Sequence, residues 1–176
     1  TFTMNGGSFQ NTAQTVVSLA SGAKFNMTGG EIVGGKKSDY EFIGAINMTG
    51  GTFNMTGGEI TDCFTGVYME KGSTFTMDNG AITNCSTGVH IWDDSRQSKS
   101  TTVFTMNGGK IGKVDGTVTR NFEGYAVEVH QMATFRLKGG EISGYRSTNN
   151  TSTGGVDVWE KGILEIYNAP KVYDNY

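Results

Sequence analysis

The sequence predicts an all-β fold: a parallel β-helix with three short strands per rung and about seven rungs. Three observations lead there. A seven-residue phrase recurs along the chain, an apolar mark follows it, and a pair of apolar residues precedes it. The phrase reads TFTMNGG from Thr1, KFNMTGG from Lys24, TFNMTGG from Thr52, TFTMDNG from Thr74, VFTMNGG from Val103 and TFRLKGG from Thr134. A degenerate copy, ILEIYNA, starts at Ile163. The phrase returns at intervals of roughly 22 to 31 residues, within the period range of solenoids.

The first strand of each rung is the phrase itself. Phe2, Phe25, Phe53, Phe75, Phe104, Phe135 and Leu164 are followed two residues later by Met4, Met27, Met55, Met77, Met106, Leu137 and Ile166. Apolar residues two apart share one face of a strand, so the residues between them face the other way. The Gly-Gly pair after the strand suits a sharp turn with positive φ. The second strand carries one apolar mark: Phe9, Ile32, Ile60, Ile82, Ile111, Ile142 and, one residue late, Val172. Counting back eight and six residues from each Phe locates the third strand. It yields Val17 and Leu19, Ala45 and Asn47, Val67 and Met69, Val127 and Val129, and Val156 and Val158. Val89 and Ile91 take the same place ahead of an insertion. Rungs of this kind stack about 4.8 Å apart, so seven of them make a rod on the order of 30 Å long. An antiparallel sandwich would instead need hairpin turns and no constant rung order.

Composition agrees with this reading. The chain has 176 residues, 27 Gly, a single Pro and 36% hydrophobic residues, which suits a turn-rich solenoid with a narrow core. Residues 1–176 read as a single domain without a linker. The chain opens and closes inside repeats, so a piece of a longer protein, flanked by further solenoid repeats or domains, is expected. A net charge of −3 and no basic stripe argue against a nucleic-acid partner. The sequence contains no apolar run long enough for a membrane span and no signal peptide. Cys63 and Cys85 each lie ten residues after their rung's Phe and should stack on neighbouring rungs. Their Cα spacing allows a disulfide, but parallel Cβ vectors fit its dihedral poorly, so two buried thiols are the simpler expectation. No CxxC or HxH cluster accompanies them, and neither a metal nor a cofactor is expected.

The units FTMNGGKI, FNMTGGEITDC and FTMDNGAITNC, followed by GVYMEKGSTF or GVHIW, resemble right-handed parallel β-helix repeats of secreted and cell-surface bacterial proteins. Those repeats are commonly written FTMNGGTISGN followed by GGGVYV. The resemblance spans nearly the whole chain. It implies a right-handed helix and an extracellular or cell-surface location, but no particular activity, since such solenoids serve as adhesin stalks, glycan binders and carbohydrate-active enzymes. Where those repeats place an inward Asn in the turn after Ile, this chain has Cys63 and Cys85.

The outward positions of the third strand form two columns. One holds Ser18, Ile46, Tyr68, His90, Glu128 and Asp157; the other holds Ala20, Met48, Glu70, Trp92, His130 and Trp159. Both His and both Trp residues of the chain fall here. Ring faces beside hydrogen-bonding groups suit sugars, so Tyr68, His90, Trp92, His130, Trp159 and Glu70 are the candidate ligand-binding residues for a glycan or other cell-surface ligand. Aromatic residues also decorate exposed sheets simply because they favour strands. The longest departures from the minimal rung, residues 93–102, 112–124 and 143–154, flank the same face, and insertions in repeat proteins often wall a groove.

A catalytic reading is the alternative. Glycoside hydrolysis needs two carboxylates about 5 to 9.5 Å apart. Glu128 and Asp157 share a column, and Asp94 begins the neighbouring insertion, so these three are the candidates for a polysaccharide hydrolase or lyase. No GxSxG, HExxH or phosphate-binding loop supports another chemistry. A purely structural spacer is the second alternative. The opposite face repeats Thr3, Asn26, Asn54 and Thr76. Its regularity resembles an ice-binding array, but Lys24, Asp78 and Arg136 interrupt it, and ladder stabilisation is the simpler role.

Overall fold

A computed structural model describes residues 1–11, 15–34, 44–93, 101–112, 124–145 and 154–175. Among them every regular element is a strand, and the strands wind as a right-handed parallel β-helix of about seven rungs. The first sheet stacks β1 (Phe2–Met4), β4 (Lys24–Met27), β7 (Thr52–Met55), β10 (Thr74–Met77), β13 (Val103–Met106), β16 (Thr134–Leu137) and β19 (Ile163–Ile166). The second stacks β2 (Ser8–Asn11), β5 (Glu31–Gly34), β8 (Glu59–Thr61), β11 (Ala81–Thr83), β14 (Lys110–Gly112), β17 (Glu141–Ser143) and β20 (Lys171–Tyr173). The third has six strands: β3 (Val17–Ala20), β6 (Gly44–Thr49), β9 (Thr65–Glu70), β12 (Thr87–Ile91), β15 (Tyr125–Val129) and β18 (Gly154–Val158).

Every strand pair is parallel, and in the first two sheets the register is the one that the repeated phrase demands. Phe2, Phe25, Phe53, Phe75, Phe104 and Phe135 pair in sequence, and Leu164 completes the column. From Phe25 to Phe135 these rings are fully buried and stacked, with centroids 4.6 to 5.1 Å apart. Rung spacing and ring stacking thus coincide, which is why Phe suits this position. Ile32, Ile60, Ile82, Ile111 and Ile142 form the matching buried column of the second sheet. Outside the first sheet, Asn54 donates to Asn26 at 2.9 Å and Asn107 to Asp78 at 2.7 Å, so the Thr/Asn face is a hydrogen-bonded ladder.

Both glycines of the turn lie close to neighbouring backbone, as Gly57 does to the Thr28 carbonyl, and the second of the pair also holds positive φ. Gly80 sits at φ 100°, and a Cβ there would lie 2.7 Å from Met55 Cε and 2.9 Å from the Gly58 carbonyl oxygen. The first position of the same turn accepts Asn79. Cys63 and Cys85 are free and buried, each donating its Sγ–H to the carbonyl two residues back, Thr61 at 3.1 Å and Thr83 at 3.2 Å. Asn175 fills the equivalent place in the last rung and donates to Tyr173 O at 2.8 Å, so thiol and amide serve the same turn.

The third strand of the second rung departs from the counted register. Ile46 and Met48 are fully buried and pair with Val17 and Leu19, while Asn47 takes the outward place beside Ser18 and Tyr68. Thr49, not Met48, then continues the second column between Ala20 and Glu70. The turn into Phe53 is one residue shorter than those into Phe25 and Phe75, so counting back from the Phe slips the register by one. A one-residue slip exchanges the two faces of a strand.

Candidate functional site

The outward face of the third sheet gathers its polar and aromatic side chains through parallel stacking. Tyr68, His90, Glu128 and Asp157 are successive register partners on β9, β12, β15 and β18. The second column continues through the backbone bonds Trp92 N to Met69 O, His130 N to Ile91 O and Trp159 N to Val129 O. Neighbouring partners are separated by one strand spacing, so side chains from four rungs meet.

The rings form a continuous seam. Tyr68 and His90 lie 5.3 Å apart, His90 and His130 stack at 5.0 Å with planes 3° apart, and His130 stacks on Trp159 at 6.0 Å. Trp92 leans on both imidazoles, 6.4 Å from His90 and 5.6 Å from His130. Trp159 is the open end of the seam at 55% exposure; Tyr68, at 5%, is its buried end. The expectation that Tyr68 offers a free ring face is therefore corrected. Burial, reinforced by the Glu70 carboxylate beside it, raises the Tyr68 hydroxyl far above the usual phenol range. Glu70 in turn pairs with Lys71 at 2.9 Å.

Glu128 lies at the centre. Its Oε1 accepts from Thr87 Oγ1 at 3.0 Å, and its Oε2 lies 3.1 Å from His90 Nδ1 and 3.8 Å from His130 Nε2. The last distance exceeds a hydrogen bond. Burial pushes the Glu128 carboxyl up, but His130, His90 and Thr87 outweigh it and hold the group down at about 2. A carboxylate so firmly ionised is a poor general acid and a weak general base. Asp157 is next in the column, half-buried, on the adjacent rung. Asp94 lies outside the described residues, as does most of each flanking insertion. Asp93 is buried and accepts from Thr102 Oγ1 at 3.0 Å, while Thr102 also receives the Gly72 amide at 2.8 Å, a structural strut between turns.

Thr87 is the site residue that the sequence reading missed. The signal was there: the tripeptide TGV recurs at Thr65 and Thr87, which pair in register at the start of the site strands. Past the strands, Gln131, Met132, Glu160 and Lys161 line an open depression of about 370 Å³, directly after His130 and Trp159 in the chain. All four hold positive φ, between 42° and 70°, and Gln131 donates to Glu160 at 3.2 Å. Comparison with protein-family models, with curated proteins and with solved structures finds no match to this chain.

Proposed function

We propose that this chain is an extracellular segment of a bacterial surface or secreted protein that binds glycan on the third-sheet face. The observation carrying this reading is the aromatic seam from Tyr68 to Trp159, ending in a half-exposed indole whose next residue in the chain, Glu160, lines an open depression. Sugar C–H faces stack on such rings, while Gln131, Glu160 and Lys161 supply hydrogen-bonding groups at the rim. The resemblance of the repeat to those of secreted bacterial solenoids supports the location.

A glycan-array screen of the intact chain beside a Trp92→Ala/Trp159→Ala double variant tests the proposal. Binding by the parent that the double variant loses supports it. Binding that the double variant retains, or no binding to any glycan, refutes it and leaves a spacer as the better account. Released reducing ends on a bound glycan would favour the hydrolase alternative, with Glu128 and Asp157 as the carboxylates.

A further inference from the structure

We propose that His90, Glu128 and His130 form a three-ligand site for a divalent transition-metal ion of the zinc class. One nitrogen from each imidazole and one carboxylate oxygen all lie within 4.8 Å of one another. Two ligands held about 2.0 to 2.2 Å from a tetrahedral Zn²⁺ are about 3.3 Å apart. The 3.1 Å and 3.8 Å separations of His90 Nδ1 and His130 Nε2 from Glu128 Oε2 bracket that value.

The fold delivers this set from two rungs. His90 and Glu128 are direct register partners on neighbouring strands, and His130 follows Glu128 by two residues, on the same face. Three features beyond proximity suit a metal. Two nitrogens and one carboxylate oxygen form a donor set that zinc and its first-row neighbours favour, while Mg²⁺ and Ca²⁺ prefer oxygen donors alone. Thr87 fixes the carboxylate by binding its other oxygen, as outer-shell partners of metal ligands do. All three side chains are largely withdrawn from solvent, with 12%, 16% and 16% exposed, and Trp92 packs on both imidazoles. Three protein ligands leave a coordination position for water or a ligand oxygen.

The nearly parallel imidazoles impose one adjustment. A ring nitrogen donates in the plane of its ring, so the two planes, now 3° apart, must tilt toward a shared point. The χ2 torsion of His is soft enough to allow this. Metal binding therefore opens the His90–His130 stack. This proposal does not rest on glycan binding, and either can fail without the other.

Metal-free protein titrated with Zn²⁺ alone, by calorimetry and by imidazole ¹⁵N NMR, is the test. The chain has two His residues, so the ring spectrum reports only this site. The expected result is one Zn²⁺ per chain, with a ring nitrogen of both His90 and His130 shifting together. Glu128→Gln and His130→Ala should each lower the affinity at least about tenfold. Zinc binding that leaves either imidazole unshifted, or no stoichiometric binding by the parent chain, overturns the proposal. Because the NMR arm uses the unsubstituted protein, a variant that fails to fold does not spare it.

Discussion

Phe75→Leu is the sharpest test of what holds the rod together. Phe75 is fully buried, and its ring stacks on Phe53 and on Phe104 with centroids 4.6 Å away on each side. Each such pair contributes about 0.5 to 1.5 kcal/mol beyond the area it buries. Replacing a planar ring by a branched side chain of smaller volume adds about 1 kcal/mol of imperfect packing. The expected loss is about 2 to 4 kcal/mol. Phe2→Leu is the matched control: Phe2 is 49% exposed and stacks on one ladder neighbour, Phe25, at 5.5 Å. Its expected cost is about 1 kcal/mol or less. Urea titration followed by far-UV circular dichroism reads both, as a shift in midpoint at constant slope. A Phe53→Leu/Phe75→Leu double variant should cost less than the sum of the singles, because the shared stack is lost only once. Equal costs at Phe2 and Phe75, or strict additivity in the double variant, would refute ring stacking as a source of cohesion between rungs.

Other perturbations test particular contacts. Gly80→Ala should destabilise by more than about 1 kcal/mol, because φ 100° and the Met55 and Gly58 contacts both resist a Cβ; Asn79→Ala in the same turn should stay within about 0.5 kcal/mol. Thermal melts of the two variants check this, and equal effects would sink it. Cys63 and Cys85 are buried and free, and burial raises the Cys85 thiol well above its usual value. A chromogenic thiol reagent should therefore label neither in native protein and both after denaturation. Rapid native labelling would contradict the burial. Thr87→Val, close in shape, removes the hydroxyl bound to Glu128 Oε1 and should cost about 1.5 to 3 kcal/mol in denaturant titration of the metal-free protein. No loss would mean that solvent replaces the hydroxyl.

How much of this protein was legible in its sequence depends on the sheet. In the first two sheets the apolar marks lie within one unbroken phrase, so spacing alone placed the Phe and Ile columns on the core side and paired them correctly. The third strand follows turns of variable length, and there counting failed once, at Ile46, Asn47 and Met48. The missing residue before Phe53 is visible in the sequence. Which face it sends inward is settled only by packing, since burying Ile46 and Met48 is far more favourable than burying Asn47.

The candidate site divides in the same way. Strand spacing put His90, Glu128 and Asp157 in one column and Trp92, His130 and Trp159 in the next, because in-register rungs repeat their outward positions. Side-chain direction was beyond it. That Tyr68 is covered, that Trp159 stands open, and that both imidazoles turn toward Glu128 depend on rotamers chosen among neighbours on four rungs. A one-dimensional repeat determines which residues are neighbours. The three-dimensional balance of burial, ring stacking and charge decides which of those neighbours converge.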